Sequence, residues 1–194
     1  MSKKDEEEKY FERKQAEWRR QVRRQKRLEA IRQKEVHEIA EELETTEEVA
    51  EEALALGFDQ NTARVLPLLP LIQVAWIDGE IQLGETRRIN DLAHEYGIEN
   101  GTEAHDFLDL LLQERPSDSY FERANRVIRH LLQAGNAKWD GDSIVDLAKT
   151  VAESSGSFFG LTDPIAPEEA DLLDDFADEF DVHGQEAIDL KPDE

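Results

Sequence analysis

Three carboxylates lie close together around a glycine in the middle of the chain. Asp78 and Glu80 flank Gly79, and Glu85 follows them. Calcium and magnesium prefer several oxygen ligands, and a short loop can bring two or three carboxylates around one ion. The residue types and their spacing therefore make Asp78, Glu80 and Glu85 candidate ligands of a divalent cation.

The same segment has a second interpretation. Read as an EF-hand loop that starts at Asp78, it has Leu83 where that loop needs glycine and Ile89 where it needs glutamate, so an EF-hand is excluded. Gly79 can instead end one helix, while Glu85 favours the positive N-terminal end of the next. The cation site and the capped corner both stay open at the level of the sequence.

A weak internal repeat links this segment to a later one. Residues 74–98, VAWIDGEIQLGETRRINDLAHEYGI, resemble residues 151–182, VAESSGSFFGLTDPIAPEEADLLDDFADEFDV. Each begins with Val-Ala, passes a glycine and a loop, and reaches a glutamate that opens an amphipathic stretch. Such repetition indicates one helix–loop–helix unit used twice around a shared core. If the repeats face each other, the second loop adds three candidate ligands: Asp163, Glu168 and Glu169.

Helical periodicity dominates the rest of the chain. Residues 5–44 contain no proline or glycine, and their composition favours one long helix. Pro67 and Pro70 are expected to kink or restart a helix just before residues 71–77, which we place at the centre of the core. No segment alternates with period two. We therefore expect an all-α fold, a bundle of about seven short helices with pseudo-repeated halves, preceded by a long charged helix.

Charge divides the chain into unlike parts. Residues 1–44 carry 13 Lys or Arg and 12 Asp or Glu, whereas residues 45–194 carry 10 and 34. This pattern predicts a basic-centred helical arm over 1–44, an acidic helical domain over 45–183 and an acidic flexible tail over 184–194. The strongly acidic domain should repel nucleic acid and anionic lipid, and attract cations or basic partners.

The basic part of this arm is a second candidate site. Residues 9–34 contain eleven bases and three acids. Clustered bases bind phosphates in a salt-sensitive way, so nucleic acid binding is expected through this part alone, if at all. The other candidates are a protein partner, a second subunit, the acidic stretch 168–179 of the same chain, or a simple solvated helix. The candidate partner-binding residues are Trp18, Arg19, Arg20, Arg23, Arg24, Lys26 and Arg27.

Composition and motifs exclude several functions. The chain has no cysteine, which excludes disulfides, thiolate zinc sites, iron–sulfur clusters and cysteine nucleophiles. It has no HExxH, GxSxG or glycine-rich phosphate loop, so we expect no enzyme activity. The N-terminal segment lacks the apolar run of a signal peptide, and the longest apolar run, 65–77, is too short for a membrane span. The expected location is the cytoplasm.

Residues 69–89, LPLIQVAWIDGEIQLGETRRI, resemble the TerB-like family, tellurite-resistance-associated proteins related to the N-terminal domain of membrane-anchored DnaJ-like co-chaperones. The likeness rests on the string Val-Ala-x-x-Asp-Gly-Glu at 74–80 and on Glu85. The later VAESSGSFFGL…IAPEE looks like the second-half motif, so the likeness covers roughly residues 60–181. It implies a compact helical domain with pseudo-repeated halves, an acidic metal-ion site, and a stress-response setting without an established catalytic activity.

Overall fold

The computed structural model describes residues 3–134, 141–155 and 165–180. Within these ranges the chain forms eight α-helices and one 3₁₀ helix, and no strand is present. The expected all-α fold, a long first helix followed by seven shorter ones, is therefore confirmed. In chain order the elements are α1 Lys3–Leu43, α2 Glu47–Ala55, the 3₁₀ helix Ala63–Leu68, α3 Leu69–Ala75, α4 Leu83–Glu95, α5 Glu103–Gln113, α6 Asp118–Gln133, α7 Gly141–Ser155 and α8 Pro167–Phe180.

Local residue chemistry sets the helix boundaries. Glu44 has a φ of 51° and reverses the chain after α1, and Thr46 Oγ1 then accepts a hydrogen bond from the backbone N–H of Val49 to cap α2. Thr102 and Ser117 cap α5 and α6 in the same way. Each cap satisfies a backbone donor that the first turn of the helix leaves without a partner.

The two prolines before the core helix change its geometry as expected. Pro67 lies inside the 3₁₀ helix, and Pro70 lies in the first turn of α3, where a missing N–H costs no intrahelical hydrogen bond. Leu71, Ile72 and Val74 follow, and all three are fully buried. The predicted restart of the helix and the central place of this segment in the core are confirmed.

One hydrophobic core joins the short helices to the end of α1. Val36, Ile39 and Leu43 are buried, and this end of α1 packs against α2 and the 3₁₀ helix. On the other side of the core, α7 packs against α3, α4 and α8. The helices of the two predicted repeats, α3 with α4 and α7 with α8, therefore lie against each other.

The first part of α1 extends away from this core. Over residues 10–35 every side chain is exposed except Ala16 and Val22, which are half-buried. We call residues 10–35 the α1 extension. At 1.5 Å per residue it is roughly 39 Å long. The transition from exposed to buried side chains at Val36 places the last turns of α1 in the body of the protein.

Gly84 marks a close approach between α4 and α7. A Cβ added at Gly84 would lie 2.2 Å from the backbone carbonyl oxygen of Ser154. We predict that Gly84→Ala lowers the free energy of unfolding by about 1–3 kcal/mol, because backbone atoms cannot move aside as a flexible side chain does. Urea unfolding measures the effect.

Leu83→Ala is the matched control, since Leu83 precedes Gly84 and is exposed. It should change the free energy of unfolding by less than about 0.5 kcal/mol. Equal stability of wild type and Gly84→Ala would show that the two helices do not pack this closely in solution.

Candidate functional site

Glu85 is positioned by the start of α4. Gln82 is the N-cap residue, and Glu85 Oε2 accepts a hydrogen bond from the backbone N–H of Gln82 at 2.7 Å. A glutamate that reaches back to the N-cap amide in this way is one half of a capping box. The contact holds the carboxylate inside the protein, where Glu85 is only 2% exposed.

Glu169 occupies the equivalent position at the start of α8. Its Oε2 accepts a hydrogen bond from the backbone N–H of Ala166 at 2.7 Å, with Pro167 as the first helical residue. Glu169 is 5% exposed, whereas Glu168 is exposed. Of the two glutamates that the repeat left as counterparts of Glu85, the structure therefore selects Glu169.

The two buried carboxylates interact with each other and with Asp78. Burial raises the pKa of Glu85 to about 7, against the lowering effect of the hydrogen bond from Gln82, and the charges of Glu169 and Asp78 raise it further. Burial also raises the pKa of Glu169, and the charges of Asp78 and Glu168 add to that rise. This corner of the protein thus places two buried carboxyl groups near the exposed carboxylate of Asp78.

Bases do not balance this charge in the part of the chain that the structure describes, since neither buried glutamate forms an ion pair there. Within the same residues, no group of three or more His, Asp or Glu side chains is arranged to hold a metal ion. The charges of Asp78, Glu85 and Glu169 therefore influence one another, but the three side chains are not arranged as the ligands of one metal ion. We call these three residues the carboxylate cluster.

The other predicted ligands lie at the edge of this cluster or beyond it. Asp78 Oδ1 accepts a hydrogen bond from the backbone N–H of Glu80 at 3.1 Å, and the side chains of Asp78 and Glu80 are both exposed. Glu168 is exposed as well and acts on the cluster through its charge. Asp163 lies outside the described residues. The structure thus brings together one carboxylate from the loop and one from each helix start.

The α1 extension, the second candidate site, has two unlike faces. At about 100° per residue, Phe11, Trp18 and Val22 fall within about 40° of one another around the helix. Trp18 is 64% exposed. The opposite side is strongly basic and carries Arg13, Arg20, Arg23, Arg24 and Arg27, while Arg19 and Lys26 lie between the two faces.

The basic face does not meet the acidic face of α8 within one chain. All six predicted partner-binding bases are exposed, and the Nε atoms of Arg19 and Arg23 donate to carbonyl oxygens of α1 itself. The acidic face of α8 is also exposed, through Glu168, Asp171, Asp174, Asp175 and Asp178. The fold-back interaction that the sequence left open is therefore not formed in this structure.

One feature of α1 was not predicted: its C-terminal end is acidic. Residues 35–52, which include the end of α1 and most of α2, contain nine glutamates and no Lys or Arg. The charge count over residues 1–44 hid this change of sign, because it added basic and acidic stretches together. A count over shorter windows reveals it directly.

Comparisons of the chain with protein-family models, curated proteins and solved structures give no match. The resemblance to the TerB-like family therefore stays a prediction. The fold and its sites define an all-α protein with a buried carboxylate at each of two paired helix starts and a projecting basic helix. Among the described helices, none combines the length and the apolar character that crossing a membrane requires.

Glu85 should make stability depend on pH. Its pKa is 4.5 without the fold and about 7 within it, so the folded state holds the proton more tightly than the unfolded state. The resulting stabilisation is complete below about pH 4.5 and is lost as the pH rises through about 7. Glu85→Gln cannot ionise, so its free energy of unfolding relative to wild type should rise across this window by up to roughly 3 kcal/mol.

Urea unfolding between about pH 4 and pH 8, with a chelator present, measures this difference. Glu95→Gln is the control, because Glu95 is an exposed carboxylate on the same helix. A difference between Glu85→Gln and wild type that stays constant with pH would contradict the burial of a titrating carboxylate at this position.

Proposed function

We propose that this protein is a non-enzymatic adaptor of the cytoplasm whose acidic helical body presents the α1 extension as its binding element. One observation carries the proposal: residues 10–35 form a continuous helix whose side chains are almost all exposed. Most of the stability of a helix in a protein comes from packing against other elements, and the buried side chains of α1 begin only at Val36. Such a segment is typical of an element that a partner covers.

The side chains of the extension support a role in binding. Phe11 and Trp18 are both more than half exposed, and they lie opposite a face rich in arginine. Aromatic residues and arginine are enriched at protein interfaces because they bury large areas or form several hydrogen bonds at once. A stress-response setting for the adaptor rests on the TerB-like resemblance alone.

A photo-cross-linking amino acid in place of Trp18 tests this proposal in cells. We expect specific cross-linked products from position 18, because its side chain extends from the face that a partner would cover. The control carries the same amino acid in place of Leu83, which is 76% exposed on the body. Equal products from the two positions, or none from position 18, would contradict the proposed role of the extension.

A different observation favours divalent-cation binding as a second function. Glu85 and Glu169 are nearly fully buried, and the negative charge of Asp78 raises the pKa of both. Each glutamate uses Oε2 to cap its helix, so we propose Oε1 of each as the atom that binds the ion. A cation would offset the mutual repulsion of these carboxylates, and the TerB-like resemblance implies an ion at such an acidic site.

Calorimetric titration with calcium and with magnesium tests this second function. We expect weak binding, with a dissociation constant on the order of 10⁻⁴ M or above, because few oxygen ligands are available. At ten times that concentration, the ion should raise the free energy of unfolding by about 1.4 kcal/mol. Asp78→Asn and Glu85→Gln should each abolish the effect, since each removes one charged ligand.

Asp91→Asn is the matched control, because Asp91 is an exposed carboxylate on α4 and its replacement changes the net charge equally. This variant should bind the ion as wild type does. If titration gives no heat, or equal heats for wild type and the three variants, the carboxylate cluster is not a cation site.

A further inference from the structure

Opposite charges are segregated along the first two helices. Residues 9–34 hold eleven bases and three acids, whereas residues 35–52 hold nine glutamates and no Lys or Arg. Two such helices placed antiparallel bring each basic stretch beside the other helix's acidic stretch. The same contact is then made twice, as a twofold-symmetric dimer requires.

We propose that two copies of this chain associate through antiparallel α1 helices, with the twofold axis near Ile31. The inference rests on the proposed role of the α1 extension as a binding element, and it assigns that element a partner, a second copy of the chain. Ile31 is 48% exposed in a single chain. In the dimer it would be covered by the second copy's Ile31.

The charges that this pairing requires lie on one side of α1. At about 100° per residue, they fall within an arc of about 80° that is centred on Ile31. The body covers a different side of α1, where Val36, Ile39 and Leu43 enter the core. Between Arg20 and Glu42, the residues in the arc are Arg20, Arg24, Arg27, Ile31, Glu35, Glu38 and Glu42.

With the axis at Ile31, positions equally far from it face each other. Arg27 then faces Glu35 of the second copy, and Arg24 faces its Glu38. Arg20 faces Glu42 in the same way. These positions are four, seven and eleven residues from Ile31, which is the spacing of residues on one helix face. Three opposite-charge pairs therefore form on each side of the axis, with an apolar contact between them.

Two of these glutamates already accept contacts within their own chain. Lys34 Nζ lies 2.8 Å from Glu38 Oε1, and an Arg64 guanidinium nitrogen lies 2.6 Å from Glu42 Oε1. A carboxylate accepts several hydrogen bonds, so these contacts are compatible with a further arginine. Glu35, which faces the arginine nearest the axis, is exposed.

Other occupants of the basic face are less favourable. Nucleic acid or an anionic membrane would attract the bases but would repel the nine glutamates of residues 35–52, which continue the same helix. A second copy places the bases against glutamates and needs no other component. Because α1 contains no proline or glycine within residues 5–44, it has no built-in kink that would turn the extension back onto its own body.

Charge reversal in the full chain tests the pairing. Arg24→Glu/Arg27→Glu sets acid against acid, and Glu35→Lys/Glu38→Lys sets base against base. Each variant alone should associate at least about tenfold more weakly than wild type. An equimolar mixture of the two should recover the dimer, because both halves of the mixed pair then join opposite charges.

Sedimentation velocity measures the association, and circular dichroism checks that each variant keeps its helical content. For wild type, raising NaCl from about 50 mM to about 500 mM should weaken the dimer about tenfold, because exposed ion pairs are screened by salt.

Single cysteines test the register, since the chain has none of its own. Under mild oxidation, Ile31→Cys should form a disulfide-linked dimer, because the two thiols meet at the axis. Gln33→Cys, on the other side of the helix, should not. Ala16→Cys would face its own counterpart only in a parallel pair, so it should not cross-link either.

The proposal is overturned if wild type sediments as a monomer at low salt or if the mixed variants fail to associate. Cross-linking of Ala16→Cys, with or without cross-linking of Ile31→Cys, also overturns it, because in a parallel pair both positions face their own counterparts. So does a monomer that co-sediments with phosphatidylserine vesicles, which would assign the basic face to a membrane. Cross-links from position 18 to other proteins, with the chain monomeric, would overturn the dimer and leave the adaptor role intact.

Discussion

Two backbone hydrogen bonds hold a buried carboxyl group at the start of α4 and another at the start of α8. Gln82 donates to Glu85, and Ala166 donates to Glu169, each at the start of a helix. Both bonds satisfy an amide that would otherwise lack a partner, and both hold a carboxylate where water is scarce. Burial makes ionisation of Glu85 unfavourable and raises its pKa to about 7. The hydrogen bond from Gln82 lowers that pKa and so offsets part of the effect of burial.

The helix α1 also has two roles. Its last turns contribute Val36, Ile39 and Leu43 to the core, and its earlier turns carry exposed bases outward. Dimer formation and cation binding would therefore use separate regions, one along α1 and the other between α4 and α8. Pairing through the arginine-rich side would leave the side with Phe11 and Trp18 open to a different protein.

Local patterns in the sequence predicted the elements well. Uninterrupted helix-forming composition identified α1, the two prolines located the restart before α3, and the repeat made Glu168 or Glu169 the counterpart of Glu85. The choice of Glu169 depended on which side chain faces inward, and the close approach of Gly84 to Ser154 depends on how α4 packs on α7. Both follow from contacts between distant segments, which periodicity does not encode. The acidic end of α1 was visible in the sequence, but averaging over residues 1–44 concealed it.

The unbroken course of α1 has a mechanical consequence. A helix without proline or glycine bends little, so the extension and the turns that hold Leu43 in the core move as one rod. Any force that a bound molecule applies near Phe11 is then transmitted, with the leverage of a long rod, to the packing of α1 on α2. Tension on the distal end would reach the interior of the protein without passing through a hinge.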